Sequence, residues 1–397
     1  MDVESIFDWL VDGAPGAATA ADVMGTMAPR LREAGAPLDR TEAFVRTLHP
    51  HIVGRSFVWK PNAPTEVFEQ SYAYLRSPEF VGSPVAEVFR TGEAARHRLT
   101  PEAIAAEPSE RRPYLEKLAS EGYTDFYGAP LKFRSGQVHA ITFASRAPGG
   151  FEEEHLAGFR RVMAPLSRVG EILALSRTAV NLLNTYVGRN AGERILGGQI
   201  QRGDVEPIRA VIWFSDLRGF TALSGSVSPE ELIRSLNELF ECQVPAIEAH
   251  GGEVLKFIGD GLLAIFPIVA GGPAIGELVE QALGAADEAF GSLAVLNARR
   301  GDGARMRFGL ALHVGEVVYG NIGGAGRLDF TAIGPAVNVA SRLEGLTSGV
   351  GADIVTSEEV ARLTPRPKVD LGEFDLKGVA GKTRVFRFEP RVAERTG

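Results

Sequence analysis

Two aspartates could do chemistry together. Asp216 follows the apolar run IRAVIWF (208–214) after Ser215, and Asp260 sits between two glycines in VLKFIGDGLLAIF (254–266). A continuous apolar run reads as a strand buried on both faces. The second stretch reads as a hairpin with buried arms and a carboxylate in its turn, because Gly259 and Gly261 can take positive φ without a Cβ clash. An Asp-Gly turn also has a plain explanation, since Asp often bonds its own backbone there. The partner aspartate supplies the other reading. The two lie 44 positions apart, room for a strand, a helix and a returning strand, and adjacent strands run about 4.8 Å apart. Carboxylates that share a site raise each other's pKa, and a divalent cation relieves the conflict. With no His or Cys nearby, these donors suit Mg²⁺ or Mn²⁺, hard ions that usually accompany phosphates.

The rest of the chain is compatible with such a site. Its 397 residues are 45% hydrophobic and 23% charged, ordinary globular material of a length that favours two or three domains. No apolar run reaches bilayer-spanning length, and MDVESIFDWLVDG is acidic where a signal peptide is basic, so the expected location is cytoplasmic, with no membrane span. The single Cys242 excludes an internal disulfide framework and a Cys-rich zinc site. A net charge of −8 argues against nucleic acid as a partner, while one local cationic pocket for a phosphorylated substrate remains open.

The elements that must position the aspartates alternate from residue 205 to 390. After the first strand, Ser228, Pro229 and Glu231 give an N-cap, a proline at the first helical position and a capping-box acid, and Gly251 ends that helix. The hairpin follows. Then come a helix over 274–299, strands over 306–322 and 328–333, a helix from Pro335, and strands at 370–376 and 384–389. This order predicts a ferredoxin-like α/β (α+β) sandwich with its helices on one face of the sheet. Residues 1–160 read as a separate α/β domain. There YGAPLKFRSGQVHAITFAS (127–145) forms a hairpin that leads through PGGFEEEH into a helix, and the stretch resembles a GAF-type sensor domain. Residues 161–204 read as a helical linker. Leu166, Val169, Leu173, Ser176, Val180, Leu183 and Val187 alternate spacings of three and four, the seam of a coiled-coil helix, although a single helix packed on its own domain fits the spacing too. His49 and His51 could share a strand face, but the seven histidines make no ligand set.

Four motifs carry a resemblance. FSDLRGFTALS (214–224), EVLKFIGDGLLAIF (253–266), LHVGEVVYGNIG (312–323) and DFTAIGPAVNVASRLE (329–344) resemble, in order and spacing, the catalytic domain of class III adenylate and guanylate cyclases. The resemblance implies that Asp216, Asp260 and the carbonyl of Leu217 bind two metal ions, Mg²⁺ or Mn²⁺. It implies that Asn338 positions the ribose, that Arg342 stabilises the transition state, and that Lys377 meets the terminal phosphates. It also implies a homodimer with shared active sites. A lone Lys-Gly match is weak, and Lys377 reads equally as an exposed structural lysine; Asn338 and Arg342 also fit an exposed helix pair with a salt bridge to Glu344.

Base choice follows from donors and acceptors. Adenine N1 accepts and its N6 amine donates, whereas guanine presents N1–H and O6. Lys256 can only donate, which complements adenine N1, and the hydroxyl of Thr331, at the second base-reading position of the resemblance, can accept from N6. Lys256 also fits a snorkelling lysine on a sheet. Pro335 departs from the acidic residue often found there. The expectation is an adenylate cyclase acting on ATP and regulated through its N-terminal domain by an unknown small-molecule or protein regulator. A guanylate cyclase and an inactive binding partner are the alternatives.

Overall fold

The computed structural model describes residues 1–269, 271–300, 305–324 and 326–391. The chain forms two compact units, Met1–Leu182 and Leu183–Gly397, divided inside a long helix.

The first unit opens with helices α1 (Glu4–Val11) and α2 (Ala20–Glu33) and strands β1 (Arg40–Arg46), β2 (Ile52–Trp59) and β3 (Glu66–Ser71). Short helices α3 (Pro78–Val81) and α4 (Pro84–Thr91), strand β4 (Ala95–Arg98), and helices α5 (Pro101–Ala106) and α6 (Arg112–Ser120) follow. The expected hairpin is β5 (Asp125–Lys132) and β6 (Val138–Ser145), with Gly136 at positive φ in its turn. Helix α7 (Glu153–Val187) runs out of it. The strands make one antiparallel sheet of order β3-β2-β1-β6-β5-β4. One face packs Ile141 and Phe143 against Leu10, Met27 and Phe159 of α1, α2 and α7, and the other carries Phe44 and Phe126 against α3–α6. His49 and His51 lie in the loop between β1 and β2.

The coiled-coil seam needs correction. Leu166 and Val169 are only 4% and 5% exposed and belong to the first unit's core, with Leu173 packed against it. Val187 packs on the sheet of the second unit. The exposed apolar stripe of α7 is Ile172, Leu175, Ala179, Leu182 and Tyr186, again at spacings of three and four. It lies about 100° round the helix, one position along. Both stripes satisfy the heptad pattern, and the sheet beneath decides which is buried.

The second unit contains α8 (Arg189–Leu196), β7 (Val205–Leu217), α9 (Phe220–Ser224), α10 (Pro229–Ala249), β8 (Glu253–Ile258), β9 (Gly261–Pro267) and α11 (Ile275–Arg300). Then come β10 (Phe308–Gly324), β11 (Arg327–Ile333), α12 (Pro335–Glu344), α13 (Thr347–Val350), β12 (Ile354–Ser357), α14 (Glu358–Arg362), β13 (Val369–Asp375) and β14 (Lys382–Phe388). The Ser228 hydroxyl accepts from the Glu231 N–H, so the expected cap of α10 is in place. The sheet order is β13-β14-β12-β10-β7-β9-β8, with β11 on the far half of β10. β10 pairs with the whole of β7.

Helices cover both faces of this sheet, not the single face expected. Val211 and Trp213 of β7 point into α10 and α11. Ala210 and Ile212, one residue out of phase, share a cluster with Ala191 of α8 and Ala336 and Ala340 of α12. A strand covered on both sides must be apolar where it is buried, as AVIW (210–213) is, while Arg209 before it is exposed. The hairpin arms also differ. β9 is buried along its length, but β8 is the sheet edge and its tip, Phe257 and Ile258, is exposed.

Candidate active site

Asp216 lies near the end of β7, and Ser215 faces Leu262 of β9, so the turn between β8 and β9 hangs over the end of β7. The two turn glycines serve different needs. Gly259 has φ +63°, the left-handed region that glycine enters freely. Gly261 has no such angle. A Cβ there would lie 2.9 Å from the Ser215 carbonyl and 3.1 Å from Asp216 Oδ1, so its lack of a side chain admits Asp216 to the turn. Asp216 and Asp260 come together as a result. Burial, then the charge and hydrogen bonding of Asp260, push the Asp216 carboxyl up to about 6, against the pull of the Leu217 N–H. Among the described residues neither aspartate has a Lys, Arg or His in an ion pair, and no group of three or more His, Cys, Asp or Glu is arranged to hold a metal.. Two crowded carboxylates without a cation fit a hard divalent ion bound by oxygen, with waters or phosphate completing its shell.

A third carboxylate stands beside them. Gly309 of β10 is the cross-strand partner of Asp216. A Cβ on Gly309 would sit 2.6 Å from Glu344 Oε1, so the Glu344 carboxylate covers the bare backbone next to Asp216. Burial first, then the Asp216 charge, push Glu344 up to about 7, while the Thr347 hydroxyl, which donates to it at 3.3 Å, and Arg218 oppose the rise. The sequence reading treated Glu344 only as a possible surface partner for Arg342. Instead it is partly buried and makes no ion pair with Arg342, and its signal was the glycine that faces it across the sheet.

Lys256 and Thr331 lie on neighbouring structure. The β8 register shifts between Val254 and Lys256, a bulge at Leu255 that re-aims the lysine. Lys256 Nζ is 3.8 Å from Asp329 Oδ2 on β11. Asp329 and Thr331 are two apart and share a strand face. Asp329 was not singled out from the sequence, though this spacing marks it. Thr331 is 2% exposed and its hydroxyl has no hydrogen-bond partner among the described residues. A buried, unpartnered hydroxyl is costly unless a ligand satisfies it.

α12 begins at Pro335 after Gly334, which has φ +146° and caps the helix with no side-chain bond. Ala336, Ala340 and Leu343 face inward, and Asn338 and Arg342 are exposed, one turn apart. Lys377 is exposed beyond β13. No hydrogen bond or ion pair among the described residues joins Asn338, Arg342 or Lys377 to the aspartates or to Lys256. One chain thus brings together an acidic pair, sets Lys256 beside the strand that carries Asp329 and Thr331, and leaves Asn338, Arg342 and Lys377 exposed.

Residues 205–389, within the second unit, match the family model of the adenylate and guanylate cyclase catalytic domain. The chain is 37% identical over 165 residues to an adenylate cyclase of Anabaena cylindrica, covering 41% of this chain and 32% of that protein. It is 36% identical over 157 residues to adenylate cyclase 1 of Rhizobium meliloti, covering 37% of this chain and 22% of that protein. It therefore spans less than a third of the length of these relatives. Among solved structures it is similar to the guanylyl cyclase Cya2, with 28% identity, a TM-score of 0.41, and coverage of 50% of this chain and 98% of that one. No helix among the described residues is long and apolar enough to cross a membrane.

Proposed function

We propose that the protein is an adenylate cyclase that converts ATP to 3′,5′-cyclic AMP and pyrophosphate in a homodimer with shared sites. The observation that carries this reading is the base-facing pair. Lys256 offers only donors, and the buried Thr331 hydroxyl lacks a partner among the described residues. Together they complement adenine N1 and N6 and leave guanine N1–H facing a donor.

In the reaction the ribose 3′-oxygen attacks the α-phosphorus in line and pyrophosphate leaves. Asp216, Asp260 and the Leu217 carbonyl would hold Mg²⁺ or Mn²⁺, which when bound lowers the pKa of the attacking hydroxyl and shields the triphosphate charge. Arg342, always cationic and with planar paired donors, meets charge that develops on the phosphoryl oxygens. Asn338 orients the ribose, and Lys377 contacts the outer phosphates. Since Asn338 and Arg342 are exposed and make no bond to their own chain's aspartates, a second copy would complete each site, one chain supplying Asp216 and Asp260 and the other Lys256, Thr331, Asn338 and Arg342. The exposed apolar side chains Phe257, Ile258, Leu328 and Ile333 on β8 and β11 give that copy a surface to cover. Within this reading the first unit is a GAF-like regulatory domain, supported by its six-stranded antiparallel sheet clad by helices on both faces. The helix that leaves it would pair with its dimer mate through the exposed stripe of α7. The protein would act in the cytoplasm.

The test is incubation of the purified full chain with Mn²⁺ and either ATP or GTP, followed by product identification. Cyclic AMP from ATP supports the reading, cyclic GMP as the main product replaces it with a guanylate cyclase, and no product from either leaves a binding role. Shared sites are tested by mixing Asp216→Ala and Arg342→Ala chains, each nearly inactive alone. Random exchange makes half the dimers mixed with one intact site in two, so activity should recover to roughly one quarter of wild type. No recovery despite proven exchange would place all the residues in one chain's site.

A further inference from the structure

Three residues before Lys256, the edge strand β8 begins with a buried acid that the proposed mechanism does not use. Glu253 is 6% exposed. Among the described residues it has no cationic partner; both of its oxygens are held by neutral donors. The Tyr319 hydroxyl donates to Oε1 at 2.7 Å, and the Asn190 side-chain amide donates to Oε2 at 3.1 Å. These donors come from different places. Tyr319 is on β10, and its ring meets Phe330 of β11 edge-on at 4.9 Å, one residue before Thr331. Asn190 is in the first turn of α8.

The surroundings lock the same three elements together. Ala191 of α8 is fully buried in a cluster with Leu255, Tyr319 and Phe330. Leu255 is the bulge residue that aims Lys256, and Phe330 precedes Thr331. Arg194 of α8 lies over the Tyr319 ring at 5.1 Å and pairs with Glu206 of β7. Gly188, at φ +86° just before α8, lies with its Cβ position 3.3 Å from the Val254 carbonyl, so a side chain there would press on β8. An edge strand has neighbours on one side only, and a bulge loosens it further. Something must fix where Lys256 stands relative to Thr331, and the Glu253 carboxylate is the group that bonds across.

We propose that Glu253 is a positioning residue for base recognition. Bridging Asn190 and Tyr319, it clamps β8 to β10 and to α8 and thereby sets the separation of Lys256 and Thr331. The proposal rests on the adenine-reading role assigned to those two residues. It also makes α8, the helix that leads into the catalytic sheet, a determinant of substrate affinity and base choice, with no contact between α8 and the substrate.

The experiment uses the full chain and four variants. Glu253→Ala removes the bridge. Tyr319→Phe removes one donor and keeps the ring. Asn190→Ala removes the other donor from an exposed position and so serves if the buried variants fail to fold. Glu253→Gln is the conservative rescue, because its oxygen accepts from Asn190 while its amide donates to the Tyr319 oxygen. Glu253→Ala should raise the KM for ATP by about tenfold or more and narrow the ATP-over-GTP preference, since displacements near 1 Å at a reacting site cost up to about a hundredfold. Tyr319→Phe and Asn190→Ala should shift both quantities in the same direction by less, and Glu253→Gln should stay near wild type. Hydrogen exchange read in parallel should show faster exchange over 253–258 and 328–333 in Glu253→Ala and Tyr319→Phe, with 382–388 unchanged. Unaltered KM and base preference in folded Glu253→Ala and Asn190→Ala would overturn the proposal, as would unaltered exchange at β8. If the wild type makes no cyclic nucleotide, the function assigned above fails separately, and calorimetric affinities for Mn²⁺-ATP and Mn²⁺-GTP take the place of KM with the same expected order among the variants.

Discussion

Two aspartates, one in each unit, are treated in opposite ways. Asp125 in the first unit is 0% exposed and fully provided for. Arg96 reaches it at 2.7 Å, Arg98 at 3.2 Å, and the Phe151 N–H donates at 2.8 Å, while Gly150 leaves the room that a Cβ would take from its carboxylate. Asp216 in the second unit is only partly buried and has another aspartate and a partly buried glutamate for neighbours. A fold neutralises a charge that only has to be stable, and leaves unneutralised a charge that must attract something from outside. The contrast supports the metal-binding role proposed for Asp216 without reference to any relative.

Removing each acid should therefore have a different consequence. The largest effect is on turnover: Asp216→Ala or Asp260→Ala should lower cyclase activity by several orders of magnitude with the circular dichroism spectrum unchanged. Either variant turning over like wild type would remove the metal assignment. Asp125→Ala should instead strike stability, because it leaves two arginines beside an empty site. A hydrogen bond to a charged group is worth roughly 1.5–3 kcal/mol, so the first unit's denaturation transition should move to lower urea while that of the second stays put. A first-unit transition that did not move would put Asp125 on a par with an exposed acid.

A third expectation concerns pH. Asp216 and Glu344 have folded-state pKa values near 6 and 7, above their ordinary 3.8 and 4.5. Their protonated forms favour the fold, so the stability they contribute is complete below about pH 4 and is lost as pH rises through 6 and 7. In chelator, the second unit's melting temperature should accordingly fall between pH 4 and pH 7.5, and Mn²⁺ at pH 7.5 should restore it by a few degrees, about the shift that ~1 kcal/mol produces in a unit of this size. Asp216→Asn should melt higher than wild type in chelator and respond less to Mn²⁺. A chelated wild type that gained stability across this range would contradict the crowding.

The smallest effects test α7. Val169→Asp should destabilise the first unit, whose core it enters, whereas Ile172→Asp should leave that transition within about 0.5 kcal/mol of wild type. In sedimentation, Ile172→Asp should weaken self-association modestly. The reverse pattern would restore the seam drawn from the sequence.

Much of this was legible in the chain itself, for reasons that also explain the failures. The apolar run of β7, the glycine-flanked turn and the Ser228 cap are local signals, and each produced its element. β12 escaped because IVTS (354–357) is too short to show a period. On α7, Leu166 and Val169 went to a seam between helices because both stripes of the helix are apolar and only the sheet shows that these two are buried within the first unit. Glu344 was set beside Arg342 because sequence gives neighbours along the helix, whereas the contact that defines it, over Gly309 beside Asp216, is a fact of strand register. The acidic pair itself could be anticipated, since two strands and a turn suffice to bring Asp216 and Asp260 together.

The turn glycines have a consequence for anyone building variant libraries of this hairpin. Position 259 demands an angle and position 261 demands room, so their tolerances should not overlap. Asn or Asp can enter the left-handed region at 259 at modest cost and meets no neighbour there, since a Cβ has nothing within 4 Å. At 261 even alanine would press a methyl group against the Ser215 carbonyl and the Asp216 carboxylate. Randomised together, the two codons should yield active clones with a small assortment at the first and glycine alone at the second, a pattern that deep sequencing of survivors would display directly.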